Sequence, residues 1–573
     1  MASTGTVRTG EHDLRQQRRA EEQDAQLRRD LGPWSLTAAG VGSVIGSGWL
    51  FAAMYGARFA GPAALVSFLV GGGLMLMIAL VFAELGMVRP ESGGLVRYPL
   101  YSNGRLAASI VGWAMWLSYV GNPPVEASAT VQYASIWLPG VFSDDRLTGW
   151  GIVLTVAIMA VYVVVNCFGV ALFARTNNIV TAVKVLIPTL TIVLLLASGF
   201  GHGGGRNFTA YGGFAPYGLS ASLGAIASAG LVFAYTGFRN VIELSGEARN
   251  PRRDVPRAMV GTILLAIVLY LGLQVAFIVA VPADKLGGGW HGIDLTSPFA
   301  DLAVLLGLTW LSWTLVADSV LSPSGSGIIF TAANGRNVFG LGKNGFFPRW
   351  LMQVGGRWGV PTRALLFNFL VGIAFLLPLP SWQKIVAVLS VMAAFTFSIG
   401  SVSLWVFRNV GLGDARARLA GMRVIAPGAF MVSSLVIFWE PSDELLKTVP
   451  IVVVGMVWYL GSALRGHGHG AEVAAGAWLV VFLAFIYAMS VVGSFGGSGL
   501  VPGPWDGIVV AIVSLALYLW GVRAGTAYLG GRPDLLELLS RRREDEVDGG
   551  GAARGADAAD PDGGSSEISA PAS

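Results

Sequence analysis

Apolar residues along the chain fall into runs of about 20, the length a helix needs to cross about 30 Å of hydrocarbon at 1.5 Å per residue. The runs predict helices near 34–56, 63–87, 106–138, 149–168, 174–200, 219–245, 258–282, 302–332, 362–380, 384–407, 424–440, 446–464, 474–494 and 506–523. That is an all-α integral membrane protein of about 14 transmembrane helices.

Charge placement supports the count. With a cytoplasmic N-terminus, inner loops carry Arg89, Arg97, Arg105, Arg175, Arg249, Arg252, Arg253, Arg257, Arg336, Lys343, Arg349, Arg357, Arg363, Arg408, Arg416, Arg418, Arg423 and Arg465. Outer loops hold only Arg58, Arg146, Arg206, Lys285, Lys384 and Lys447. The Arg541-Arg542-Arg543 cluster also falls inside, as an even count requires. The reading is a multi-pass protein of the inner, or plasma, membrane with both termini cytoplasmic.

Composition narrows the class. Charged residues make up 13% of 573 residues and hydrophobic ones 54%, with a mean hydropathy of +0.63. Soluble domains carry about 25% charged residues. The net charge of +4 does not argue for nucleic acid, because the basic residues sit between spans. The single cysteine, Cys167, lies in an expected span, which excludes an intrachain disulfide and any cysteine-based metal site. His12, His202, His291, His467 and His469 lie in the tail and loops, with no metal or His/Asp spacing inside the spans. No metal, no cofactor and no enzyme active site are expected. Residues 11–30 are highly charged and 545–573 are rich in Ala, Gly, Asp and Ser, so neither can bury a core. The first apolar run is too long and Gly-rich for a cleaved leader.

Two spans are broken by glycine. The first reads Gly40-Val41-Gly42-Ser43-Val44-Ile45-Gly46-Ser47-Gly48-Trp49, and the sixth Gly230-Leu231-Val232-Phe233-Ala234-Tyr235-Thr236-Gly237-Phe238-Arg239. One such stretch alone is better read as close helix packing. Two of them five spans apart suggest interrupted helices at matched positions of two repeats, a pointer to a midplane substrate site. Freed N–H groups there can hold a carboxylate, and freed carbonyls an ammonium group.

These residues resemble the amino acid–polyamine–organocation (APC) superfamily of permeases over roughly residues 34–410. The matching motifs are Ile45-Gly46-Ser47-Gly48; Glu84-Leu85-Gly86 with Pro90 and Ser92-Gly93-Gly94; Phe233-Ala234-Tyr235 through Phe238; Gly246-Glu247-Ala248-Arg249-Asn250-Pro251-Arg252-Arg253-Asp254-Val255-Pro256-Arg257-Ala258; and Asn334-Gly335-Arg336-Asn337 with Gly345-Phe346-Phe347-Pro348. The fourth is the most specific. The resemblance implies two inverted five-helix repeats, an amino acid held between helices one and six, and coupling to protons or sodium. The implied organisation is a tail at 1–33, a transport core at 34–410, accessory helices eleven to fourteen at 411–525 and a tail at 526–573. Asn122-Pro123-Pro124-Val125-Glu126 and Arg239 incline it to the aspartate–proton symporter-like branch. Partners are then an amino acid, protons and the lipid bilayer, with no nucleic acid; oligomeric state stays open.

The resemblance also suggests the site. Ile45, Gly46, Ser47, Gly48, Phe233, Ala234, Tyr235, Thr236, Gly237 and Arg239 bind substrate, and Phe233, just before the helix-six break, lids it. Charges inside the membrane cost about 2.5–3.5 kcal/mol even on lenient scales, so each needs a reason. Lys184, about ten residues into its span, stands where relatives hold a sodium ion between helices one and eight, and could load and release a proton. The alternative is a charged strut or a snorkelling lysine. Arg239 could select a second carboxylate, or pair with Glu243 or Glu126. Glu126, after a double proline, is a proton carrier or a neutralising partner. Asp318 carries a proton or fixes Lys184, with Ser322 one turn on resembling an ion-site hydroxyl; an ordinary interhelical hydrogen bond is the plainer reading. Glu84 and Glu247 read as solvated contacts at the inner helix ends.

The function expected is import of an amino acid, aspartate or glutamate foremost, by proton symport and alternating access. An exchanger of neutral or cationic amino acids, or a non-transporting sensor on the same scaffold, is the alternative. A channel fits less well, since no repeated filter-like sequence is present.

Overall fold

The computed structural model describes residues 31–91, 93–167, 170–353, 360–413, 417–462 and 470–540. Ser92, Arg357, Arg416, Arg465, His467, His469, the Arg541–Arg543 cluster and most of both tails, His12 included, lie outside the described residues.

The polypeptide is helical almost throughout. Its only sheet among the described residues is a two-stranded hairpin, Phe142–Ser143 with Arg146–Leu147. The helices are α1 (Pro33–Val44), α2 (Gly48–Ala60), α3 (Ala64–Val88), α4 (Gly94–Val120), α5 (Asn122–Ala134), α6 (Gly149–Cys167) and α7 (Val170–Gly201). Then follow α8 (Leu219–Ser228), α9 (Leu231–Tyr235), α10 (Arg239–Glu243), α11 (Pro251–Ala280), α12 (Pro298–Leu305), α13 (Thr309–Lys343), α14 (Thr362–Leu376) and α15 (Trp382–Asn409). The last four are α16 (Met422–Phe438), α17 (Ser442–Ser462), α18 (Gly470–Val492) and α19 (Trp505–Gly530). Each of the 14 expected spans falls on one helix or a pair, except the sixth, which falls on α8, α9 and α10. Nine stretches among the described residues are long and apolar enough to cross a membrane, ten with the bent pair α8 and α9–α10.

Several helices reach further than apolarity alone suggests. The third span starts near the expected 106, but α4 joins it across a kink at Gly104 (φ +74) to a further helix from Gly94, so Arg97 and Arg105 lie on either side of the kink, buried, not in a loop. Arg97 can be buried because the fully buried Glu91 faces it at 3.2 Å and also takes Arg89 Nε at 2.6 Å. Arg257 likewise lies in α11, and Arg336 and Lys343 in α13. The final span runs to Gly530, past the boundary expected at 525.

One face gathers residues that the charge pattern placed inside. Leu31 exchanges backbone hydrogen bonds with Glu247 and Arg249, joining the start of the first span to the end of the sixth. Arg336, late in α13, pairs with Glu247 at 3.2 Å. Arg89, after α3, donates to the carbonyl of Leu539 at 2.9 Å, beyond α19. Arg408, ending α15, forms a fork on Glu84 of α3 at 2.5 and 2.7 Å. Glu84 is fully buried, which corrects its expected solvated setting. An even number of crossings separates these points, so the contacts agree with the expected order of spans.

The core is built on α4 and α15, which are buried along nearly their whole length. Helices α17, α18 and α19 pack on α4, and α16 packs on α15 and α3. The four last helices therefore brace the central pair. Against the other side of the bundle, α1 is enclosed by α7, α10, α11 and α13.

Candidate functional site

The first span opens at Ile45–Gly46–Ser47, between α1 and α2. Unwinding there frees backbone groups that a lipid-facing helix could not leave unpaired. Side chains from four other helices take them. Lys184 of α7 donates from Nζ to the carbonyl of Gly42 at 2.6 Å. Ser326 of α13 donates toward Gly42 and Ser43 carbonyls at 3.0 and 3.2 Å. Tyr270 of α11 donates toward the carbonyl of Val44 at 2.8 Å and that of Ala234 at 3.0 Å, tying the two broken spans together. On the other side of the opening, Ser47 N–H donates to Oε2 of Glu126, on α5, at 2.7 Å. A Cβ at Gly46 would run into the Glu126 carboxylate and the Ser326 hydroxyl and force both to shift.

The sixth span bends by 59° between α8 and the segment Leu231–Glu243. The hinge is Ala229–Gly230, and Gly230 has φ +76, a backbone conformation that favours glycine. This corrects the expected position of the break. Phe233 follows it by three residues and, with Ala234 and Tyr235, is helical; only Thr236–Phe238 tightens to a 3₁₀ turn. Gly237 presses on the backbone of Ser43 and Val44, and Gly48 on Ala234, so the first-span break packs against the sixth span beyond its hinge, at Ala234 and the 3₁₀ turn. The Tyr235 hydroxyl points elsewhere, to the carbonyl of Phe68 at 3.2 Å. Thr236 bonds back to Phe233 at 2.8 Å.

An aromatic wall covers the opening on the side away from Leu31. Trp382, at the head of α15, donates to the Ser47 hydroxyl at 2.8 Å. Phe51, Tyr55 and Phe233 surround its ring at 4.9, 5.7 and 6.2 Å between centroids. Phe233 is thus one member of an aromatic cluster centred on Trp382.

The ionisable residues group unevenly around the break. Lys184 is buried with Nζ against Gly325 of α13, so it bridges the first and eighth spans as the resemblance implied. It faces Glu126 and Asp318 electrostatically, yet no ion pair with either forms among the described residues. Asp318 accepts from Ser322 at 2.9 Å, and its second oxygen has no partner. Ser322 itself does not reach the break; Ser326, one turn further, does.

Arg239 pairs with neither Glu243 nor Glu126, contrary to that alternative. Its guanidinium donates to the Ser118 hydroxyl at 2.6 Å and lies 4.0 Å from the centroid of Tyr119 and 5.5 Å from that of Phe330. Beyond it, towards the Leu31 face, the side-chain polar atoms of Asn240 on α10 and of Asn334 and Asn337 on α13 are buried without hydrogen-bond partners among the described residues, while the buried Glu243 beside them faces Gly93, Arg239 and Arg336. Each such atom kept dry costs about 1–3 kcal/mol.

Sequence reasoning missed Ser326, Tyr270 and Trp382. Ser326 could have been found from the one-turn spacing Asp318, Ser322, Ser326, which puts all three on one face of α13. A tyrosine or tryptophan in an apolar span gives no comparable signal, since most are packing. Among the described residues no cluster of His, Cys, Asp and Glu could hold a metal.

The amino acid permease family model matches residues 31–461. The glutamate/serine transporter AimA of Bacillus subtilis (strain 168) is 38% identical over 518 residues, 88% of this chain and 96% of that protein. The aspartate-proton symporter of the same organism is 32% identical over 511 residues, 87% and 97% of the two chains. Human cationic amino acid transporter 4 is 28% identical over 402 residues, 67% of this chain and 61% of that one.

Proposed function

This chain belongs to the amino acid permease family, and on that premise we propose that it imports an amino acid by proton symport through alternating access. The observation that carries the coupling is the sharing of one backbone break. Lys184 holds its carbonyl end at Gly42 and Glu126 its amide end at Ser47, so the groups that can trade protons touch the backbone that would grip the zwitterion. The pocket is assigned to Ile45, Gly46, Ser47 and Gly48 with Phe233, Ala234, Thr236 and Gly237, under the lid formed by Phe233 and Trp382. Tyr235 supports this set through the Phe68 carbonyl. Asp318, with Ser322, is the third member of the coupling set through its field on Lys184.

Arg239 is the proposed selector for acidic substrates. Its guanidinium is held by a neutral hydroxyl and an aromatic face, and no carboxylate among the described residues forms an ion pair with it. The printed names of two relatives, a glutamate/serine transporter and an aspartate-proton symporter, support that substrate class. We assign transport to two inverted repeats within residues 34–410 and a bracing role to 411–525. The protein sits in the cell membrane with the Leu31 face cytoplasmic.

The test is uptake into liposomes by the purified protein, with a panel of labelled amino acids and imposed proton or sodium gradients. Proton-driven accumulation of aspartate or glutamate is expected. Lys184→Ala should lower it by about 10²-fold, the low end of what a positioned proton-transfer group contributes. Accumulation driven by sodium alone, or full coupling in Lys184→Ala, would refute the mechanism. Uptake of neutral amino acids with no response to aspartate or glutamate would dispose of the selector role.

A further inference from the structure

We propose that Glu126 is an internal competitor for the substrate's carboxylate, occupying the Ser47 amide when ionised and surrendering it when protonated. The inference rests on the reading that the first-span break grips that carboxylate. Its basis is a position. Ser47 is the N-cap of the thirteen-residue α2, where unpaired amides and the helix dipole favour an anion. A carboxylate already sits there, the 2.7 Å contact of Glu126 Oε2 with Ser47 N–H. It is supplied by the protein itself, and Gly46 makes the room, since any side chain at that position would collide with it.

Two carboxylates cannot share one amide, because like charges at contact disfavour joint ionisation. The amide's hydrogen bond to an ionised acceptor is also stronger than to a neutral one. A substrate carboxylate therefore wins the amide most easily from protonated Glu126. The groups facing Glu126 leave it able to respond. Lys184 from α7 is its nearest cation, yet holds the Gly42 carbonyl instead. Tyr162 from α6 and Tyr270 from α11 face it as phenols, and α13 contributes the Ser326 hydroxyl at Gly46. Asp318 of α13 acts on Lys184.

The sign follows. At high pH Glu126 is ionised and keeps the amide, excluding substrate. A proton from the outer solution neutralises it, the amide opens, and substrate enters. Once the carrier faces the more alkaline inner solution, the proton leaves Glu126, which reclaims the amide and expels the substrate. Proton and amino acid travel in the same direction, one for one.

Equilibrium binding of labelled L-glutamate, L-aspartate and L-serine to the purified full chain, from about pH 5 to about pH 9, tests this. Wild-type affinity should fall about tenfold per pH unit over the upper part of the range, as linkage to one proton requires. Glu126→Gln, permanently neutral, should bind with the acid-limit affinity at every pH. Glu126→Asp, one carbon shorter and still charged, should show a shallower slope; where Glu126→Gln fails to fold, this variant decides. A Glu126→Gln protein that keeps the wild-type slope, or is monodisperse and binds nothing at any pH, overturns the proposal. A wild-type affinity indifferent to pH would instead bring down the proton-coupled reading itself, and the competition with it.

Discussion

The break in the first span and the polar array between α10 and α13 both bury polar groups inside an apolar bundle, but they treat them in opposite ways. At the break the carbonyls of Gly42, Ser43 and Val44 and the amide of Ser47 each meet a side chain from another helix. In the array the side-chain polar atoms of Asn240, Asn334 and Asn337 meet none among the described residues. Left dry, an array of that kind would cost about as much as a typical domain's whole stability of about 5–15 kcal/mol. The break is therefore a preorganised site in which protein groups stand in for ligands. The array leaves its amides unsatisfied by the described residues and lies between the break and the Leu31 face.

Substitutions can break or sharpen that contrast. The largest effect is expected at Gly237, where a methyl group would meet the backbone of Ser43 and Val44 and not a movable side chain. Overpacking costs about 1–3 kcal/mol even where neighbours can yield. Gly237→Ala should thus abolish uptake and reduce the folded yield seen by size-exclusion chromatography; an active, monodisperse variant would mean that the 3₁₀ turn and the first-span break do not pack as described. A smaller effect is expected for Ser326→Ala, which strips a donor from two carbonyls and should cost about 1 kcal/mol, read as a fall in Tm. Smallest in stability is Asn337→Leu. Replacing an unpaired buried amide with an apolar group should leave Tm unchanged or raise it, while slowing initial uptake if water must pass. An Asn337→Leu protein that loses as much Tm as Ser326→Ala would erase the distinction between the regions.

Much was legible in the linear pattern because the bilayer imposes it. A span must be long, apolar and internally hydrogen-bonded, so its length and its breaks are written locally. The positions of the spans, the opening at Ile45–Gly46–Ser47 and the depth of Lys184 came from that constraint. Helix ends were less legible, since Arg97 and Arg105 look like loop residues until Glu91 and the packing of α4 make their burial possible.

What the chain alone determined, then, is an all-α membrane protein with two interrupted spans and a short set of ionisable residues inside it. Only the tertiary structure decided which groups meet: Ser326, Tyr270 and Trp382 at the break, Glu126 on the Ser47 amide, Arg239 on Ser118 and Tyr119, and the hinge at Gly230 ahead of Phe233. The physical reason is range. Apolar periodicity and glycine act over a few residues, whereas a hydrogen bond between Ser47 and Glu126 joins positions 79 apart, and nothing at either position specifies the other.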